Sequence, residues 1–169
     1  NIRVNYDPKS EDKNTMILDS FLEGLCLSNY TFNKHKTNVS NNEFQIDTGF
    51  LDKVTQASYL GTCIARDLVN EPLSHLNAVS FSKRLKNLGK EAGFSVEVLD
   101  EKIIRDLKMG GVLSVNKGSV TKPTFNILTY KSKKASRKKP VILVGKGVMY
   151  DTGGLSLKPT PNSMDMMKC

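Results

Sequence analysis

The stretch PVILVGKGVMYDTGGLSLK, residues 140–158, decides how this chain is read. Its opening, Val141 to Val144, is an unbroken apolar run, which predicts a buried strand ending at Gly145. Beyond it, Gly147, Gly153 and Gly154 give the backbone access to turns closed to other residues and let it approach a ligand. Lys146, Asp151 and Lys158 are set into that flexible backbone. A glycine-rich turn at the end of a buried strand is a common place for a binding or catalytic site. A loop with solvated charges is the competing reading of the same residues.

Working outward, the flanking segments supply alternating elements. TFNILTY (124–130) and FSVEVLD (94–100) read as strands, the second by its period-2 alternation. EKIIRDLKM (101–109) reads as a short helix, and Gly110-Gly111 is expected to break it before a strand at Val112 to Val115. Ala78 to Ala92 is amphipathic with helical period, and Gly93 is placed to cap its C-terminus. From Asp52 to Val69 the apolar positions Val54, Ala57, Leu60, Ile64, Ala65 and Leu68 recur at helical spacing. That helix should end near Asn70, because Pro72 disfavours helix at Glu71. MILDSFLEGLCLS (16–28) places Ile17, Phe21, Leu22 and Leu25 on one helical face. The polar residues 1–15 are expected to lack order, and Phe44 and Ile46 alternate in an extended segment. Strand, helix and strand with buried apolar runs point to an α/β fold, a three-layer domain with a mixed β-sheet flanked by helices.

Composition narrows the function. With 169 residues, 38% hydrophobic and 25% charged, the chain has the make-up of a globular protein large enough for one core or parts of two. Its apolar runs are far too short to span a bilayer, and NIRVNYDPKSEDKN has no apolar core of a signal peptide. The first residue is not Met, so a fragment or a processed product is expected. Cys26, Cys63 and Cys169 are widely spaced, without a CxxC, and read as reduced, inert thiols rather than a disulfide framework. His35 and His75 alone cannot make a histidine-rich zinc site. The formal charge of +8 is concentrated in KSKKASRKKP (131–140), at Lys131, Lys133, Lys134, Arg137, Lys138 and Lys139. A basic hairpin loop between two strands is expected there as a solvated connector. No aromatic interleaving accompanies it, so neither nucleic acid nor a membrane is an expected partner.

The stretch 144–158 resembles the metal-site signature of the leucyl aminopeptidase family of cytosolic dinuclear metallopeptidases. ARDLVNEP (65–72), MGGVLSVNKGS (109–119), TFNILTY (124–130) and MDMMK (164–168) resemble the family's blocks in the same order. EGLCLSNYTFNKHKT (23–37) resembles the segment just upstream of its catalytic domain. The resemblance implies residues 1–50 as the end of an N-terminal domain and 51–169 as a linker helix and the first part of the catalytic domain. It implies two divalent metal ions, Zn or Mn, and removal of leucine-type apolar residues from the N-termini of peptides by attack of a metal-bridged water. Lys146 matches a lysine metal ligand, whose amine must be neutral to donate a lone pair. Asp151 matches the carboxylate that bridges both metals, a hard oxygen donor. Lys158 matches the catalytic lysine that stays cationic and polarises the scissile carbonyl. Met167 matches a methionine lining the pocket for the substrate's first side chain. Without the resemblance, Lys146 would be a solvated strand-end lysine, Asp151 an Asx-turn residue and Met167 a core side chain.

The same resemblance implies a cytoplasmic homo-hexamer acting on peptide substrates. It also places further ligands, an aspartate, an Asp-x-Glu pair and an arginine, beyond residue 169. The α/β domain is therefore expected to be incomplete in this chain and the chain alone to be inactive. A catalytically silent oligomeric scaffold, or a nucleic-acid-binding paralogue, is the alternative reading.

Overall fold

The computed structural model describes residues 13–38, 51–132, 134, 136, 139–153, 157, 158 and 167. Two compact units divide the chain, Asn1–Asn70 and Glu71–Cys169. The extended segment expected around Phe44 and Ile46 lies outside the described residues.

The first unit is a helix pair. Helix α1 spans Lys13–Ser28 and α2 spans Lys53–Asn70. Asp52 caps α2, its carboxylate accepting from the N–H groups of Val54 (2.7 Å) and Thr55 (3.2 Å) and from the Thr55 hydroxyl. α2 stops at Asn70, where Pro72 was expected to stop it. The face that α1 buries is shifted from the expected one. Leu22, on the expected face, is buried with Cys26 and Leu51, and Leu18 and Tyr59 pack against them; Leu25 is half-buried, and Ile17 and Phe21 are exposed. Both sets have helical spacing, so periodicity alone cannot choose between adjacent stripes; the partner helix does.

In the second unit, helix α3 (Ala78–Ala92) is fixed at both ends. Asn77 Oδ1 accepts from Val79 N–H and Ser80 N–H, and Ser80 Oγ accepts from Asn77 N–H at 2.8 Å, a reciprocal capping box. At the other end Gly93 takes φ 78°, and the N–H groups of Gly93 and Phe94 both return to the Gly89 carbonyl. This left-handed cap suits a residue without Cβ and reverses the chain into strand β1 (Ser95–Leu99). α3 then lies close on β1. A Cβ on Gly89 would come within 2.6 Å of the Phe94 carbonyl oxygen and 3.1 Å of Val96 Cγ2.

β1 pairs antiparallel with β2 (Phe125–Thr129), Ser95 opposite Thr129 and Leu99 opposite Phe125. They form the only sheet among the described residues, and it is two-stranded. A triangle of Ser82 Oγ, Thr124 Oγ1 and the Ala78 carbonyl, with sides of 2.9, 3.0 and 3.2 Å, ties the start of α3 to the entry of β2. Asp100 caps helix α4 (Glu101–Asp106) by accepting from Ile103 N–H, and α4 carries the fully buried Ile104.

Two expected strands are absent. Gly110 to Asn116 is a helix, α5, not a loop followed by a strand at Val112–Val115. α4 ends at Asp106, about one turn before the glycines, and beyond it Lys108 takes φ 54° while Met109 N–H reaches back to the Ile104 carbonyl at 3.1 Å. The glycine pair is thus free to open the next helix, and a short apolar run such as VLSV fits either state. Val141 to Val144 is extended but pairs with no strand among the described residues, and its side chains are 68–93% exposed. The run is preceded by Pro140, which lacks a ladder donor, and by a stretch of like charges that repel one another. Among the described residues no strand pair flanks the basic segment, and its described lysines, Lys131, Lys134 and Lys139, are exposed.

Candidate active site

The glycine-rich turn that follows Val144 is organised by Asp151. Its Oδ1 accepts from Gly153 N–H at 2.9 Å, an Asx turn that Gly153 completes with φ 92°. Its Oδ2 accepts from Lys158 Nζ at 3.0 Å. Lys158 N–H donates to the Thr152 carbonyl at 2.8 Å, so the seven-residue excursion from Asp151 returns on itself through backbone and side chain together. Asp151 N–H donates to the Met167 carbonyl at 2.7 Å, and Tyr150 Oη donates to Met167 Sδ at 3.3 Å. Met167, 4% exposed, anchors the turn from the far side.

The Gly153 N–H, then the Lys158 hydrogen bond and charge, hold the Asp151 carboxyl below its usual range, and Lys146 adds a weaker field. Asp151 and Lys158 are both partly exposed, so water screens their attraction, and the contact acts mainly to position the two groups. Three of the four residues singled out from the sequence thus come together: Asp151, Lys158 and Met167. Lys146 does not join them by contact; it is exposed and reaches Asp151 only electrostatically. Tyr150 and Thr152, which sequence reasoning passed over, hold Met167 and Lys158 in place. Their only signal was adjacency to Asp151.

The Asp151 carboxylate is a hard oxygen donor that fits a divalent cation in kind, whereas the Lys158 ammonium bonded to it has no lone pair to give. One carboxylate is fewer than the four ligands of a closed zinc site.

The sequence model for the catalytic domain of the cytosol aminopeptidase family matches residues 63–169. The chain belongs to the cytosol aminopeptidase family. Among relatives, it is 39% identical to the probable cytosol aminopeptidase of Chloroherpeton thalassium, over 93% of this chain and 35% of that one. With the probable cytosol aminopeptidase of Chlorobaculum tepidum the identity is 52% over 64% of this chain and 22% of the relative. The solved structure of the bottromycin maturation enzyme BotP in complex with Mn superposes with a TM-score of 0.68 at 28% identity, covering 95% of this chain and 34% of that one. The chain therefore spans about a third of the length of such family members. Its architecture is the α/β fold of that family, represented here by helices and one small antiparallel sheet. No helix among the described residues is long and apolar enough to cross a membrane.

Proposed function

We propose that this protein, at the full length of its family, is a metal-dependent aminopeptidase that removes leucine-type apolar residues from the N-termini of peptides. The observation that carries the reading is the Asp151–Lys158 contact of 3.0 Å, which sets an ionised carboxylate and an ammonium side by side in the glycine-rich turn. Residues 1–50 end an N-terminal domain, and 51–169 form a linker helix and the first part of the catalytic domain. Lys146 and Asp151 hold metal; Lys158 is catalytic; Met167 lines the site for the apolar side chain. A pair of divalent cations, Zn or Mn, supplies an activated water and neutralises developing charge when bound. The Asp151 carboxylate has acceptor capacity beyond the Gly153 and Lys158 bonds, which leaves it able to bridge. The Lys158 ammonium, held beside Asp151, brings the positive charge that polarises a substrate carbonyl oxygen. The thioether of Met167, held at Tyr150, offers a polarizable wall to varied apolar side chains. The protein acts in the cytoplasm as a homo-hexamer.

Kinetics beside metal analysis on the full-length protein test the assignment. Lys158→Ala should keep its metal while kcat falls about a hundredfold, on the order of 3 kcal/mol for one transition-state donor. Lys146→Ala should lose metal, with activity partly restored at high metal concentration. The opposite pattern sinks the two roles. A metal-loaded wild-type protein with no peptidase activity would favour the silent scaffold instead.

A further inference from the structure

The first unit holds a pair of thiols that the aminopeptidase reading does not use. Two side-chain bonds fix the register of α1 on α2: Ser58 Oγ donates to Glu23 Oε1 at 2.8 Å, and Arg66 Nη1 donates to the Leu27 carbonyl at 2.7 Å. Both helices advance in the same sense between these bonds, and Cys26 and Cys63 fall inside the bracket they form. Cys26 is 1% exposed, buried with Leu22 and Leu51, and Tyr59 packs on that cluster. Tyr59 and Cys63 are one turn apart on α2 and share its α1-facing side. Cys63 is half-buried, more open than Cys26. The Cys63 thiol acts electrostatically on both Cys26 and Tyr59, as groups in one cluster do; burial, more than that field, pushes the Cys26 thiol up.

We propose that Cys26 and Cys63 form an oxidation-sensitive dithiol site that closes to a disulfide, stapling α1 to α2. The oxidant is a small-molecule disulfide. The Cys63 thiolate, its proton given to solvent, attacks one sulfur of that disulfide; the S–S bond breaks, and one small thiolate leaves and takes up a proton. Cys26 then loses its proton and attacks Cys63 Sγ in the mixed disulfide, expelling the second small thiol. The two protein thiols lose two electrons in all, and one small disulfide is reduced to two thiols. Because Cys26 is buried and its thiol is hard to ionise, the second step is slower than the first and speeds up at alkaline pH. Closing the segment between the helices restricts the unfolded chain, so the oxidised form melts higher.

The test is oxidation of the 169-residue chain with excess glutathione disulfide, read by intact mass and peptide mapping. The expected product contains a Cys26–Cys63 cross-linked peptide, two hydrogens lighter than its reduced parts and free of glutathione at both positions, and a reductant reverses both the cross-link and the rise in melting temperature. Before oxidation a small alkylating agent should label Cys63 ahead of Cys26; afterwards it should label neither. Cys63→Ser, a near-isosteric change at a half-buried position, should abolish the cross-link and leave Cys26 reduced. Stable glutathione on Cys63 with Cys26 still reduced, a link from either thiol to Cys169, or no reaction at alkaline pH would each overturn the proposal.

Discussion

Two apolar stretches of the second unit, SVEVL at 95–99 and VILV at 141–144, have opposite fates. The first is the less hydrophobic, yet it is paired along its whole length with β2 and covered by α3. The second is apolar at every position and lies exposed. The difference is in what precedes each. Gly93 reverses the chain tightly onto α3 and delivers β1 to a surface, whereas Pro140 and a run of like charges deliver Val141 to solvent. Apolar content makes a segment worth burying; a turn and a partner edge decide whether it is buried.

Deleting the same kind of side chain in the two regions should give the largest contrast. Ile104→Ala, in the helix that follows β1, should cost about 2–5 kcal/mol, because its side chain is fully buried. Leu143→Ala should stay within about 0.5 kcal/mol. Urea unfolding followed by circular dichroism compares them, and similar costs would mean that residues 141–144 are buried in solution. Amide exchange reads the same contrast without mutation: Val96 and Val98 protected, Ile142 and Leu143 exchanging freely.

A smaller effect is expected from adding one methyl group. Gly89→Ala should lose about 1–3 kcal/mol, since its Cβ meets backbone at Phe94 that cannot move aside cheaply. Gly147→Ala meets nothing within 4 Å and should be nearly neutral. Below that, Asn77→Ala removes the acceptor for two N–H groups and should cost about 1 kcal/mol, seen as a lower urea midpoint.

The smallest effect compares two carboxylates. Glu101 is held below its usual range by hydrogen bonds from Lys122 and then Arg105, much as Asp151 is by Gly153 and Lys158. A depressed folded pKa means that the Glu101 contribution is fully present above the ordinary glutamate value and fades as pH falls through the depressed one. Glu101→Gln should therefore lower neutral-pH stability slightly and flatten the acid limb of the stability profile by the same small amount. An unaltered acid limb would show that the Lys122–Glu101–Arg105 contacts are not populated in solution.

Local chemistry was legible from the sequence alone. Gly93 as a left-handed cap, the stop at Asn70 before Pro72, the alternation of β1 and the spacing of Lys146, Asp151 and Lys158 all follow from residues a few positions apart, where backbone sterics and capping act. Asp151 forms the Asx turn that its residue type offers, and that turn leaves its second oxygen facing Lys158. Tertiary structure decided the rest. Which stripe of α1 is buried depended on α2: Leu22 is buried as expected, but Cys26 joins it while Ile17 and Phe21 stay exposed. Whether VLSV and VILV were strands depended on α4 ending at Asp106 and on Val141 to Val144 meeting no paired edge among the described residues. That Met167 supports Asp151 required two distant segments to meet, Asp151 donating to its carbonyl. Short-range sterics are written in neighbouring residues, but burial and pairing are properties of the surface a segment meets, and a sequence window does not contain that surface.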